Sequence, residues 1–166
     1  MSADGSFFVD TNVLLYSGDP ADAVKQRAAH QWLSALWEQG AGRLSWQVLH
    51  EFYVNVVSSS STKTWFPALP PMPIGNCGFR AQRLALPWRR SRFGSRSTRL
   101  GLVRRAWYST GQAHLSYWDG LIVAAAEQAG CAWLLSEDFQ EGRKFGPVTI
   151  ISPFQARPDE FSLVQL

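Results

Sequence analysis

Four acidic residues stand where their chemistry could be combined: Asp10 in FFVDTNVLLY, Glu51 in SWQVLHEFY, Asp119 in LSYWDGLIVAAAEQAG and Asp138 in AWLLSEDFQEG. Each follows or sits within a segment whose apolar pattern predicts a buried strand or helix, so all four can converge at one sheet edge. Carboxylates gathered within a few ångströms raise one another's pKa values and need compensation, which a divalent cation supplies. All-oxygen ligands favour Mg²⁺ or Mn²⁺ over zinc, and such an ion, retaining waters, can activate one of them to hydrolyse a phosphodiester. Each acid also has a plainer reading. Asp10 can cap a helix starting near Thr11, Asp119 can complete an S-x-x-D capping box with Ser116, and Glu51 can face solvent.

The elements that must position these residues read as alternating strand and helix. Phe7 to Val9 is a short apolar run ending at Asp10, as a buried parallel strand would. Residues 21 to 39 form a helix with Ala28, Trp32, Leu33, Leu36 and Trp37 on one face and Gly40 at its end. A short strand over Arg43 to Ser45 leads to a helix from Trp46 to about Val57, which carries Glu51. A third helix spans Ser116 to Gln128 and ends at Gly130, Ala132 to Leu135 is a buried strand, and Val148 to Ile151 is a last strand before Pro153. This alternation predicts an α/β fold: a three-layer α/β/α arrangement with a central parallel sheet and right-handed crossovers.

Composition narrows the setting. The 166 residues suit one domain, placed at 1–154 with a tail at 155–166, and 46% hydrophobic residues with eight tryptophans supply its core. No apolar run is long enough for a membrane span, and MSADGSFFVD has no basic leader, so the expected location is cytoplasmic. Cys77 and Cys131 have neither zinc nor disulfide spacing and read as reduced thiols. Nucleotide-binding glycine loops are missing from the sequence. Trp46, Trp118 and Trp133 could stack on bases, although packing is the commoner role beside core elements.

The net charge of +3 is uneven, since no acidic residue occurs between Glu51 and Asp119 while Lys63 and the arginines from Arg80 to Arg105 fall there. Arg89, Arg90 and Arg92 belong to this basic segment, which can contact nucleic-acid phosphates or else solvate itself or dock an acidic partner protein. Residues 58–112 otherwise fit no regular element: Pro67, Pro70, Pro71 and Pro73 break helices and Ser58 to Ser61 is a serine run. An ordered insertion, a basic loop and a stretch encoded out of frame all share this composition.

Together FVDTNVLLY, the helix bearing HEFY, LSYWDGLIVAAAEQAG and LLSEDFQEG resemble the acidic motifs of PIN-domain ribonucleases, in particular VapC-type toxins of toxin–antitoxin pairs. The resemblance covers about 1–57 and 113–154, and its middle, acid-free and rich in Pro and Arg, departs from the family pattern. It implies a PIN-like fold and Mg²⁺- or Mn²⁺-dependent cleavage of RNA. Asp10, Glu51, Asp119 and Asp138 match the catalytic acids, with Asp10, Asp119 and Asp138 on the metal. Asn12 matches a polar residue orienting the first Asp, and Ser136 a small hydroxyl before the last. A homodimer and a cognate antitoxin protein are implied as partners. The alternatives are a catalytically silent PIN-like domain that binds nucleic acid or a partner, and an aspartate-dependent phosphatase, which would want a second Asp where Asn12 stands.

Overall fold

A computed structural model describes residues 5–58, 101, 105 and 115–163. Its order of elements is β1 (Phe7–Val9), α1 (Thr11–Gly18), α2 (Ala23–Glu38), β2 (Gly42–Arg43), α3 (Trp46–Ser58), α4 (Tyr117–Gln128), β3 (Trp133–Leu135), β4 (Lys144–Phe145), β5 (Val148–Ile151) and a 3₁₀ turn (Pro158–Phe161). The strands form one sheet in the order β2-β1-β3-β5-β4. β1 pairs in parallel with β2 and β3, and β3 with β5, so the chain leaves these strands at one common edge. In register, Val9 lies beside Leu135 and Leu135 beside Ile151, which sets Asp10, Ser136 and Ser152 side by side just past the strand ends.

The strands are apolar on both faces because helices flank the sheet, the expected mixed α/β architecture. Phe7 faces α2 and the 3₁₀ turn: its ring meets Trp32 at 5.5 Å, Trp133 at 6.1 Å and Phe161 at 5.5 Å. Trp133, a possible base-stacking residue by sequence, is thus a packing residue. On α2 the buried positions are Ala29, Trp32, Ala35 and Leu36, with Leu33 and Trp37 partly covered. Ala28, expected on that face, is only half-buried because the true stripe runs one residue later.

α2 and α4 end alike. Gly40 and Gly130 take φ values of +60° and +70°, a conformation costly for other residues, and the next amides, of Ala41 and Cys131, donate back to the carbonyls of Leu36 and Ala126. These stops turn the chain directly into β2 and β3.

The expected strand over 43–45 is found at Gly42–Arg43, one residue earlier. An unexpected strand is β4, antiparallel to β5; its two residues are too few to show a period. The residues after 154, read as a tail, carry Phe161 and Leu163 into the same core. Trp32 fastens them, its Nε1–H donating to the carbonyls of Pro153 and Ala156 at 3.1 and 3.2 Å. Cys131 is buried, and burial pushes its thiol up to about 11, in keeping with a reduced, unreactive side chain. No helix among the described residues is long and apolar enough to cross a membrane. Arg89, Arg90, Arg92 and Cys77 lie outside the described residues.

Trp32→Phe keeps most of the ring packing but removes the donor to the buried Pro153 carbonyl and the half-buried Ala156 carbonyl, so it should lower unfolding stability by about 1–3 kcal/mol, measurable by urea titration.

Candidate active site

Asp10 is at once the last residue off β1 and the N-cap of α1, so the two readings of it coincide. Its backbone N–H is held by the Leu135 carbonyl of β3 at 3.0 Å, which fixes the carboxylate against the neighbouring strand's exit. Only 3% of the residue is exposed. Three neutral donors meet the carboxylate: the Thr11 amide at 2.6 Å, Ser136 Oγ at 2.6 Å and Asn12 Nδ2 at 3.3 Å. Desolvation by burial outweighs them and, with smaller contributions from the charges of Asp138 and Glu51, raises the pKa from 3.8 to about 6.

Ser136, fully buried, is the hub of the site. Its one proton goes to Asp10, and its oxygen accepts from Asn12 Nδ2 at 3.2 Å and from the Asp138 amide at 3.1 Å. Asn12 Nδ2 also donates to Asp138 Oδ2 at 3.1 Å, so one amide group bridges the two aspartates. The same orientation leaves Asn12 Oδ1 buried without a hydrogen-bond partner. An unsatisfied buried acceptor costs about 1–3 kcal/mol, so the pull of two carboxylates on the NH₂ side decides how this amide lies.

Glu51 joins through a residue not singled out by sequence. Thr11 Oγ1 donates to Glu51 Oε2 at 2.8 Å, while Gln47 reaches Oε1 at 3.5 Å, the outer limit of a hydrogen bond. No local sequence pattern announces a contact between residues 11 and 51; the signal available was only the adjacency of Thr11 to Asp10. Asp119 is placed differently. It sits in the first turn of α4, where its Oδ2 accepts from the Ser116 amide at 3.3 Å and its own amide donates to Ser116 Oγ at 3.1 Å, a full capping box. α4 leads directly into β3 and packs against β3 and β5. The hydrogen-bonded network comprises Asp10, Asp138 and Glu51 with Thr11, Asn12 and Ser136, and Asp119 has no bond to it among the described residues.

A cleft of about 340 Å³ adjoins this network, lined by Asn12, Leu15, Tyr16, Asp19, Asn55 and Glu137. Lys25 sits behind it, its Nζ 2.6 Å from Glu137 Oε2, 3.0 Å from Tyr16 Oη and 4.2 Å from the centre of the Tyr16 ring. Glu137 is therefore tied to a cation, whereas its neighbour Asp138 is tied to Asn12.

The donors present suit a hard cation in kind: carboxylate oxygens from Asp10 and Asp138, with Asp10 buried among neutral partners only. Mg²⁺ commonly binds through one or two carboxylates and keeps several waters. Among the described residues no three acidic, histidine or cysteine side chains are gathered as a ready-made cage, so waters would have to complete the shell.

No protein-family model and no curated protein matches the sequence. By structure the chain is similar to FitAcB from Neisseria gonorrhoeae, whose crystal structure aligns with a TM-score of 0.55 over 90% of this chain and 99% of that one, at 18% identity. The chain shares the mixed α/β fold of that structure. The α/β architecture implied by the acidic motifs is thus the one found.

The folded Asp10 carboxyl keeps its proton up to about pH 6, whereas the unfolded one releases it near 3.8. The native state binds more protons in between, so the site favours folding below pH 3.8 and loses that contribution as pH rises through 6, by about 3 kcal/mol. Asp10→Asn should remove this fall, seen by comparing urea unfolding of the variant and the parent from pH 4 to 8 without divalent cations. Parallel profiles would contradict it.

Proposed function

We propose that the chain is a Mg²⁺- or Mn²⁺-dependent ribonuclease, the toxin of a toxin–antitoxin pair. The observation that carries this reading is the joining of Asp10 and Asp138 across parallel strands by Ser136 and Asn12. Asp10 and Asp138 would hold the cation, with Asp119 brought to it from the first turn of α4. When bound, the cation offsets the carboxylate charges and supplies an acidified water for attack on a phosphodiester.

The chain's own side chains then have separable tasks. Ser136 and Asn12 fix the Asp10 and Asp138 carboxylates in one orientation, and both can keep doing so while the remaining oxygen lone pairs face a guest. Thr11 holds Glu51 at a distance from Asp10, where Glu51 can accept a proton from a water without sharing the inner carboxylates' hydrogen bonds. The buried position of Asp10 keeps competing water away from its carboxylate. RNA as the substrate is favoured by the basic run from Lys63 to Arg105, with no acidic residue to oppose it. A cognate antitoxin and a homodimer belong to the same reading, through the resemblance of the four motifs.

Asp10→Asn and Asp138→Asn should abolish Mn²⁺-dependent cleavage of single-stranded RNA, and chelator should silence the parent. Asn12→Ala and Ser136→Ala, which loosen ligands without removing them, should reduce the rate by about 10- to 100-fold. Full activity of Asp10→Asn, or of the parent in chelator, would refute the reading. Neutralising Arg89, Arg90 and Arg92 together should lower the log–log salt slope of RNA binding by about 2, since each phosphate contact to a single strand contributes about 0.7. An unchanged slope would remove these arginines from the interface.

A further inference from the structure

The cleft beside the acidic network has a lining unsuited to phosphate. Among the described residues its lining offers acceptors in Asp19, Glu137, Asn55 and Tyr16 and apolar surface in Leu15 and Tyr16, and the cation bonded to that lining, Lys25, is already paired with Glu137. It is continuous with the acidic network through Asn12, which lines it and also donates to Asp10 and Asp138. Building on the ribonuclease reading, we infer that this cleft holds the base of the nucleotide next to the cleaved phosphate, and that it selects a base with adjacent N–H donors, a guanine-type edge.

The charge balance separates this guest from others. Lys25 neutralises Glu137, leaving Asp19 as the uncompensated charge among the described lining residues. One Asp19 oxygen is already engaged by the Ala21 amide at 2.9 Å, and its carboxylate can still accept from a ring N–H and an exocyclic amine together. Asn55, one N–H of which is committed to the Glu51 carbonyl at 2.8 Å, adds a further amide for reading a base edge. Leu15 and the Tyr16 ring give a planar base apolar surface to lie on, and Lys25, bonded to both Tyr16 and Glu137, holds that wall in place. The volume sits at the lower end of small-ligand pockets, enough for one nucleoside. A cationic side chain of a partner protein would also seek acceptors, but it would gain less from a cleft whose second carboxylate is already paired.

The test is Mn²⁺-dependent cleavage of a randomised single-stranded RNA by the full chain, with the new ends sequenced. The parent should favour guanine beside the cut, and Asp19→Asn and Asn55→Ala should each weaken that preference by about tenfold or more. Cleavage by the doubly substituted chain with an unchanged base preference would overturn the inference and leave a cationic protein partner as the guest. If the parent cleaves no RNA, the ribonuclease reading fails separately, and the cleft is tested by titrating guanosine and cytidine while observing Tyr16 by NMR. Tighter binding of guanosine, weakened in Asp19→Asn, would then support the subsite; equal binding of the two, or none, would overturn it.

Discussion

Burial of the Asp10 carboxylate organises everything at this sheet edge. A carboxylate removed from water needs hydrogen bonds or a counter-charge, and here the hydrogen bonds come from three neutral groups on two elements. The Thr11 amide is available because Asp10 caps α1, Ser136 because β3 lies beside β1 in parallel register, and Asn12 because it is in the first turn of α1. Remove the register and Ser136 no longer meets Asp10. These donors do not fully offset desolvation, since the pKa stays raised to about 6. The site is therefore poised for added positive charge.

The same interaction explains why a parallel sheet is needed. In an antiparallel pair the residues following β1 and β3 would emerge at opposite ends, and Asp10 could not reach Ser136. Here the parallel register extends to β5, the Ser136 amide donating to the Ile151 carbonyl at 3.1 Å. The ring cluster of Phe7, Trp32, Trp133 and Phe161 lies behind this edge and holds β1, α2, β3 and the C-terminal turn together. A rigid hydrophobic base thus sets the spacing of polar groups two or three residues away.

Much of this was legible in the sequence, and the reasons are local. FFVD shows an apolar run ending in a polar residue, Ser116 and Asp119 stand at capping-box spacing, and the glycines at 40 and 130 stop helices at the turns where the structure ends them. Features that depend on chain regions far apart were harder to read. Thr11 meeting Glu51 spans forty residues, and the Lys25–Glu137 pair over a hundred, so neither leaves a periodic trace. Phe161 and Leu163 lie beyond the last strand, in a segment whose Pro and charged residues suggest a tail, yet Trp32 draws them into the core. For Asp119, spacing gave the cap, and the cap is what its side-chain bonds show.

The proposed cation site joins Asp10 and Asp138, held in shape by Ser136 and Asn12. Calorimetric titration of the full chain with Mn²⁺ at pH 8 tests it most directly, because binding is read without any RNA. The parent should bind saturably, Asp138→Asn should bind far more weakly, and Ser136→Ala should fall about 10- to 100-fold. Equal Mn²⁺ affinity in the parent and Asp138→Asn would contradict it.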